Sequence, residues 1–127
     1  NDKKNISIYV KSKNYRFIYP KRDYLHIDDL LNLIIKIIKN LNKYNKKEIY
    51  NVGMGNNYSL NEILSLIYKR LPTNMKKNFK LKYEKIDSKE LISTLSDIKK
   101  TSQAFNWKPK YSIHQIISSS TSNFSKI

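Results

Sequence analysis

Cysteine is absent from the 127-residue sequence, and only two histidines are present. The lack of cysteine excludes disulfides, iron–sulfur clusters, zinc fingers and thiol nucleophiles. Because no pair of residues has the spacing of zinc ligands, we also expect no metal centre. The chain is long enough for one domain with an apolar core, but not for two.

Long apolar runs are also missing. The longest, from Ile27 to Leu41, is interrupted by aspartate, asparagine and lysine residues, so the sequence predicts no membrane-spanning helix. The chain opens with Asn1 rather than Met, and no apolar signal segment follows. We therefore expect a cytoplasmic protein that is a fragment of a longer chain.

Arginine is scarce although the chain is strongly basic. The formal net charge of +15 is carried by 22 lysines and only three arginines. Such a charge is typical of proteins that bind nucleic acids or anionic membranes, but arginine is the residue best suited to phosphate and base contacts. The lysines accompany 18 isoleucines and 15 asparagines. All three residue types have AT-rich codons, so codon usage explains the charge, and nucleic acid is not the expected partner.

Apolar periodicity and turn residues predict one mixed α/β domain over residues 1–127. Short strands are predicted at 6–10, 15–19, 48–52 and 79–86. Helices are predicted from Ile27 to about Leu41, from a capping box at Ser59 to Leu71, from Ser96 or Asp97 to about Phe105, and from a second capping box at Ser112. Residues 73–78 are predicted to be a polar loop, and the Ser-rich residues 118–127 a frayed tail.

Two carboxylates, Asp28 and Asp29, lie at the start of the first predicted helix. Negative charge there interacts favourably with the positive end of the helix dipole. The sequence assigns this same role to both residues.

Two short motifs are compatible with catalysis or cofactor binding. Tyr9-x-x-x-Lys13 matches a pattern in which lysine lowers the pKa of a proton-transferring tyrosine, but a chain with ten tyrosines and 22 lysines yields such a match by chance. Gly53-x-Gly55 resembles part of a dinucleotide fingerprint whose third glycine would fall at Tyr58. A tight turn with positive φ is the simpler interpretation, and an anion-binding nest of backbone amides is the alternative.

Arg22, His26 and His114 are the remaining candidates. Arg22 precedes the first predicted helix and can clamp a phosphate with two hydrogen bonds, or it can form a structural ion pair with a carboxylate. His26 has apolar neighbours, which favours a buried structural histidine over a catalytic one. His114 is predicted to lie on the surface. Taken alone, these residues define no catalytic site.

Three blocks of the sequence resemble, in order, the NAD-dependent epimerase/dehydratase family, the extended short-chain dehydrogenases that act on nucleotide sugars. The segment from Arg22 to Leu30, RDYLHIDDL, is similar to the family's RDYIHVDDL block. The segment from Ile49 to Ile63 is similar to its YNVGSG strand, turn and capped helix, and residues 96–112 are similar to its D-x-S-K-A and LGW-x-P ending. Together, the blocks extend over residues 16–117.

The resemblance implies the C-terminal, substrate-binding part of a Rossmann-type enzyme. The complete protein would be an NAD- or NADP-dependent epimerase, dehydratase or reductase acting on a nucleotide sugar, and a homodimer. Its cofactor would be bound mainly by an N-terminal Rossmann domain that is missing here. The arginine and asparagine with which the family contacts the nucleotide diphosphate map onto Arg22 and Asn51.

No catalytic residue is expected in this chain. In the family, the catalytic Tyr-x-x-x-Lys precedes the RDY block by many tens of residues, whereas Lys13 and Arg22 are nine apart. The fragment alone is therefore expected to be inactive.

The sequence departs from the family pattern in two places. The segment near Asp87 to Glu90 lacks the arginine with which many members hold it, and Lys85 or Lys89 would offer only point charges. Lys21 stands where a glycine usually precedes the RDY block. Two alternatives stay open: a nucleic-acid-binding module that uses lysine and tyrosine, as at Lys80–Tyr83, and a catalytically inactive interaction domain.

Overall fold

The computed structural model describes residues 4–13, 16–43, 47–77, 79–85 and 89–122, which form two small β-sheets and several helices. The strands are β1 (Lys4–Lys13), β2 (Arg16–Ile18), β3 (Lys21–Asp23), β4 (Asn57–Ser59) and β5 (Phe79–Lys85). The helices are α1 (Ile27–Ile38), α2 (Leu60–Arg70), α3 (Thr73–Lys76), α4 (Lys99–Phe105) and α5 (Ile113–Thr121). None of the helices in the described ranges is both long and apolar enough to cross a bilayer.

The larger sheet has the strand order β2-β1-β5. β1 is antiparallel to β2 and parallel to β5, with Ile8 opposite Tyr83. A parallel pair requires a long crossover connection, and this one carries α1, the smaller sheet and α2. In the smaller sheet, β3 and β4 are antiparallel, with Arg22 opposite Tyr58. The predicted strands at 6–10 and 79–86 are confirmed over their described residues, and the one at 15–19 forms over Arg16–Ile18. Tyr9 and Lys13 both lie on β1.

Two apolar clusters form the core, and each lies between a pair of helices. Leu33 of α1 packs with Phe105 and Trp107, while Ile63 of α2 packs with residues of α5. Both predicted capping boxes are present, at the start of α2 and of α5. Each box satisfies backbone donors that the first helical turn would leave without partners. The helices predicted at these positions are thus confirmed.

The strand predicted at residues 48–52 does not form in the structure. Tyr50 and Val52 do pack on the Leu33 cluster, whereas Ile49 is 85% exposed, so the residues alternate as in a strand. A strand also needs a neighbour, however, and no described strand lies beside this segment. Three of its carbonyls instead accept hydrogen bonds from side chains of Ser96, Lys100 and Thr101.

Helix α1 ends at Ile38 rather than at about Leu41, and Leu41–Lys43 form a separate 3₁₀-helix. Three other segments also differ from the predictions. Residues 73–76 form helix α3 rather than a loop, because the Pro72 carbonyl accepts from the N–H groups of Met75 and Lys76 at 3.0 and 3.1 Å. Helix α4 follows Ile98, which provides no side-chain cap, although the Asp97 carboxylate accepts from the Lys99 N–H at 3.1 Å. Helix α5 continues to Thr121, so 118–121 are helical rather than frayed, while 123–127 lie outside the described residues.

Candidate functional site

Arg22 lies where three segments of the chain meet. It is the central residue of β3, which pairs with β4 on one side. On its other side, β3 contacts the segment 90–94, because Lys21 donates its N–H to the Ile92 carbonyl at 2.8 Å and accepts from the Thr94 N–H at 3.1 Å. These backbone hydrogen bonds hold the Cα of Arg22 in a fixed position beside residues 90–94.

The Arg22 guanidinium is held by three hydrogen bonds. Nη1 donates to the carbonyls of Lys21 and Leu91, both at 2.9 Å. Nη2 donates to Oε1 of Glu90, also at 2.9 Å, and this contact is an ion pair. The Arg22 side chain is 30% exposed and that of Glu90 is 50% exposed. The structural ion pair with a carboxylate is therefore present, whereas a contact of Arg22 with substrate stays a prediction.

Asp23, the next residue, connects three segments, and sequence reasoning did not single it out. Its carboxylate accepts hydrogen bonds from the N–H groups of Met54 at 2.7 Å, Gly55 at 3.1 Å and Ser96 at 3.2 Å. The last of these donors is 73 residues away along the chain. No local pattern predicts such a contact, although Asp23 does lie inside the RDY block.

The turn at Gly53-x-Gly55 is a tight turn, as the simpler interpretation predicted. Gly55 has φ of +77°, which L-amino acids rarely adopt. Gly53 is needed for space, since an added Cβ would lie 2.6 Å from Ser96 Cβ and would also clash with the Asp23 carboxylate. The amides of this turn do bind an anion, but that anion is the side chain of Asp23.

Asn51 lies in the extended segment that precedes this turn. Asn51 is exposed, and its main-chain carbonyl accepts a hydrogen bond from the Thr101 hydroxyl. Among the described residues, no hydrogen bond joins Asn51 to Arg22. The structure thus leaves the Asn51 side chain accessible, and its contact with substrate stays a prediction.

Next to this turn lies an open cleft of about 440 Å³. It is lined by Met54 and Ile98, by Pro109 and two polar residues of α4, and by Lys99 and Lys108. Neither Arg22 nor Asn51 lines the cleft, so it is separate from the predicted diphosphate contacts.

His26 is a structural residue, as predicted. It is 8% exposed, and its ring stacks on that of Tyr111 with a centroid distance of 4.0 Å. Nδ1 accepts from the Asp28 N–H at 3.1 Å and so caps α1, and Nε2 lies 3.1 Å from the Ser119 hydroxyl. With both ring nitrogens engaged, His26 connects the start of α1 to α5. His114 is exposed, also as predicted.

The two carboxylates at the start of α1 have different roles. Asp29 is 1% exposed and accepts from the N–H groups of Lys110, at 3.0 and 3.1 Å, and Tyr111, at 3.1 Å. Asp28 is exposed and accepts from the Tyr111 hydroxyl at 3.3 Å. The charge of Asp28 raises the pKa of Tyr111 above its usual value, with smaller contributions from partial burial, that hydrogen bond and Asp29.

Metal-binding chemistry has no support in the described parts of the chain. No group of three or more histidine, aspartate or glutamate residues there could hold a metal ion. The contacts described around β3 are hydrogen bonds and the ion pair of Arg22 with Glu90.

Comparison with known proteins identifies the family. The family model described as GDP-mannose 4,6 dehydratase matches residues 9–120. The chain belongs to this family. The match extends over the three blocks that resemble epimerases and dehydratases, so that prediction is confirmed.

One curated relative of this dehydratase-family chain is an uncharacterized protein of Methanocaldococcus jannaschii. It is 28% identical over 112 residues, which make up 88% of this chain and 32% of that protein. The dehydratase-family chain therefore spans about a third of the length of this relative.

Solved structures show the same fold. The structure of RMD from Pseudomonas aeruginosa complexed with NADPH has a TM-score of 0.72 at 17% identity, over 97% of this chain and 37% of that one. The UDP-glucose 4-epimerase from Bifidobacterium longum, in complex with NAD+ and UDP, has a TM-score of 0.71 at 22% identity, over 97% and 35%. The mixed α/β fold of this dehydratase-family chain corresponds to the C-terminal part of such enzymes.

Proposed function

We propose that this chain is the substrate-binding part of an NAD(P)-dependent enzyme that acts on a nucleotide sugar, as an epimerase, dehydratase or reductase. The observation that carries the proposal is the geometry of Arg22. Backbone carbonyls hold its Nη1, so the guanidinium is already oriented before any ligand binds. Arginine presents paired donors to phosphate oxygens, and pre-oriented donors lose less entropy on binding.

Arg22 would hold the diphosphate of the nucleotide sugar. A fixed diphosphate keeps the sugar in one position while it reacts, which is the contribution that a binding residue makes to the rate. Asn51 would provide a second, weaker contact, because its accessible amide can donate to a phosphate oxygen.

The residues described here do not fit the dinucleotide cofactor. The amides of the Gly53-x-Gly55 turn, which would have to face a pyrophosphate, already bind Asp23. We therefore assign NAD or NADP to an N-terminal Rossmann domain of the kind that the family resemblance implies, and we derive no hydride-transfer step for this chain. The chain alone is expected to be inactive.

The exposed face of α1 is the surface that we assign to that N-terminal domain. Five apolar residues of this helix are more than 40% exposed and lie on one side of it: Ile27, Leu31, Ile34, Ile35 and Ile38. Ile49, which is 85% exposed, belongs to the unpaired extended segment that packs beside α1. A contiguous apolar surface of this kind normally marks an interface. Homodimerisation of the complete enzyme stays a prediction.

The nucleic-acid alternative finds no comparable support. Lys82, in the predicted lysine- and tyrosine-rich segment, forms an ion pair with Glu84 at 3.2 Å. This pairing reduces the positive charge that a nucleic acid would meet there.

The test uses the protein expressed from its complete reading frame, with its nucleotide sugar and NAD(P) measured separately by calorimetry. Arg22→Lys should weaken the nucleotide sugar roughly ten- to a hundred-fold, because a charge-assisted contact is worth about 1.5–3 kcal/mol. Asn51→Ala should weaken it less, since a neutral hydrogen bond contributes about 0.5–1.5 kcal/mol.

Arg70→Lys is the matched control, because Arg70 is exposed and bonds only the Ser118 hydroxyl among the described residues. Neither Arg70→Lys nor Arg22→Lys should change NAD(P) binding. Undiminished binding of nucleotide sugar by a folded Arg22→Lys protein would make Arg22 a purely structural residue.

A further inference from the structure

Arg22 can present only one edge of its guanidinium to a ligand. The group has five N–H donors, and a two-pronged contact needs neighbouring donors on two nitrogens. Both N–H groups of Nη1 are used by the carbonyls of Lys21 and Leu91. A phosphate must therefore approach along the edge formed by Nε and Nη2.

Glu90 already binds Nη2, one of the two nitrogens of that edge. Its Oε1 accepts from Nη2 at 2.9 Å, whereas Nε makes no hydrogen bond with any described residue. If the Glu90 carboxylate and a phosphate oxygen each accept from one N–H of Nη2, the two oxygens lie only about 5 Å apart. A phosphate bound at Nε and Nη2 would thus meet the negative charge of Glu90 at close range and would be repelled.

The structure also indicates that Glu90 can leave. Its side chain is 50% exposed, and Glu90 lies in neither a helix nor a strand. Exposed ion pairs of this kind stabilise a protein only slightly. Arg22 would keep its orientation without Glu90, because the bonds from Nη1 to the backbone do not depend on that carboxylate.

We propose that Glu90 is an internal competitor for the anion site of Arg22, so that a ligand must displace a carboxylate of the chain itself before it binds. Glu90 would then set the affinity and would discriminate against weakly charged ligands, since these compete poorly with a carboxylate. This inference rests on the proposed function of Arg22 as a phosphate-binding residue.

The test measures phosphate binding at Arg22 itself. In the protein expressed from its complete reading frame, the Nε–H NMR signal of Arg22 is identified by its loss in Arg22→Lys. Inorganic pyrophosphate is titrated at constant ionic strength into the wild type, Glu90→Gln and Glu84→Gln. Glu84→Gln is the matched control because it removes the same charge from a carboxylate that pairs with Lys82 and Ser7 instead.

Glu90→Gln should lower the half-saturation concentration of pyrophosphate roughly two- to five-fold, in line with the small energy of an exposed ion pair. Glu84→Gln should leave it unchanged. Glu90→Asp keeps the charge on a shorter side chain, so its half-saturation concentration should lie between those of Glu90→Gln and the wild type. This second variant keeps the test valid if Glu90→Gln fails to fold.

Equal half-saturation in the wild type and Glu90→Gln would overturn the role of Glu90 while leaving Arg22 as an anion site. An equal effect of Glu84→Gln would also overturn it, because net charge alone would then explain the change. If the Arg22 signal responds to pyrophosphate in none of the proteins, the proposed function of Arg22 fails and this inference fails with it.

Discussion

Asp29→Asn provides the sharpest test of how this fold is held together. The substitution keeps the size of the side chain but removes its charge and one of its two acceptor oxygens. In the structure both oxygens are used, because Lys110 donates to both of them and Tyr111 donates to Oδ2. At 1% exposure, water cannot replace the lost acceptor.

The size of the effect follows from these contacts. Hydrogen bonds to a charged group contribute about 1.5–3 kcal/mol and neutral ones about 0.5–1.5 kcal/mol, so two backbone donors lose about 2 kcal/mol together. The new amide N–H₂ would also lie within hydrogen-bond distance of the Lys110 N–H, so that two donors would face each other. We therefore expect a loss of about 2–4 kcal/mol in the free energy of unfolding.

Asp28→Asn is the control, because Asp28 occupies the same helical turn and carries the same charge. Its side chain is 51% exposed, and among the described residues its carboxylate lies 3.3 Å from the Tyr111 hydroxyl and 3.6 Å from His26 Nδ1. Solvent screens its interaction with the helix dipole, so its loss should be about 0.3–1 kcal/mol.

Urea unfolding followed by circular dichroism measures both changes. Because the urea slope of small proteins is about 1–3 kcal/mol per M, Asp29→Asn should lower the midpoint by about 1 M or more. Equal midpoints for Asp28→Asn and Asp29→Asn would refute the reasoning, since only Asp29 has buried backbone partners.

Three further predictions concern the turn, a capping box and the exposed helix face. Gly55→Ala should destabilise the chain by about 1–2 kcal/mol, because its φ of +77° strains any L-residue; a thermal midpoint equal to the wild type would contradict this. Two hydrogen bonds from Ser59, first from its hydroxyl and then from its N–H, lower the pKa of Glu62. These hydrogen bonds should therefore stabilise the folded chain fully above the usual pKa of glutamate. The stabilisation should be lost as the pH falls through the lowered pKa of Glu62. In Glu62→Gln, the urea midpoint should not show this decrease at acid pH. Identical pH profiles of the midpoint in Glu62→Gln and the wild type would contradict the prediction. The chain alone should bind a hydrophobic dye through the exposed face of α1, and Ile35→Lys should reduce the signal. A dye-silent, monomeric chain would contradict an interface there.

Local signals made part of the fold predictable. The start of α2 follows from Ser59 and Glu62, which are three residues apart and satisfy each other's backbone donors. The turn at Gly55 likewise follows from one residue and its backbone angle. Features that depend on neighbours along the chain can be predicted from the sequence.

The rest depends on contacts between distant residues. The segment at 48–52 alternates like a strand, but strand formation requires a partner strand, which the described chain does not provide. Arg22 could be named as a candidate from its residue type, whereas its partner Glu90 lies 68 residues away. Asp29 was predicted to act through the helix dipole, and its bonds to Lys110 and Tyr111 could not be foreseen from its position in α1.

The contact between Asp29 and Lys110 also has a consequence for synthesis of the protein. The two residues are 81 positions apart. At ribosomal rates of roughly 5–20 residues per second, about 4–16 s pass between the addition of one and of the other. Closing so large a loop is slow in itself, because chain entropy must be lost before the contact contributes. During that interval the Asp29 carboxylate lacks its backbone donors, and the side of α1 that carries Leu33 is not covered by Phe105 and Trp107. The nascent chain should therefore be a substrate for chaperones until residue 111 has left the ribosome.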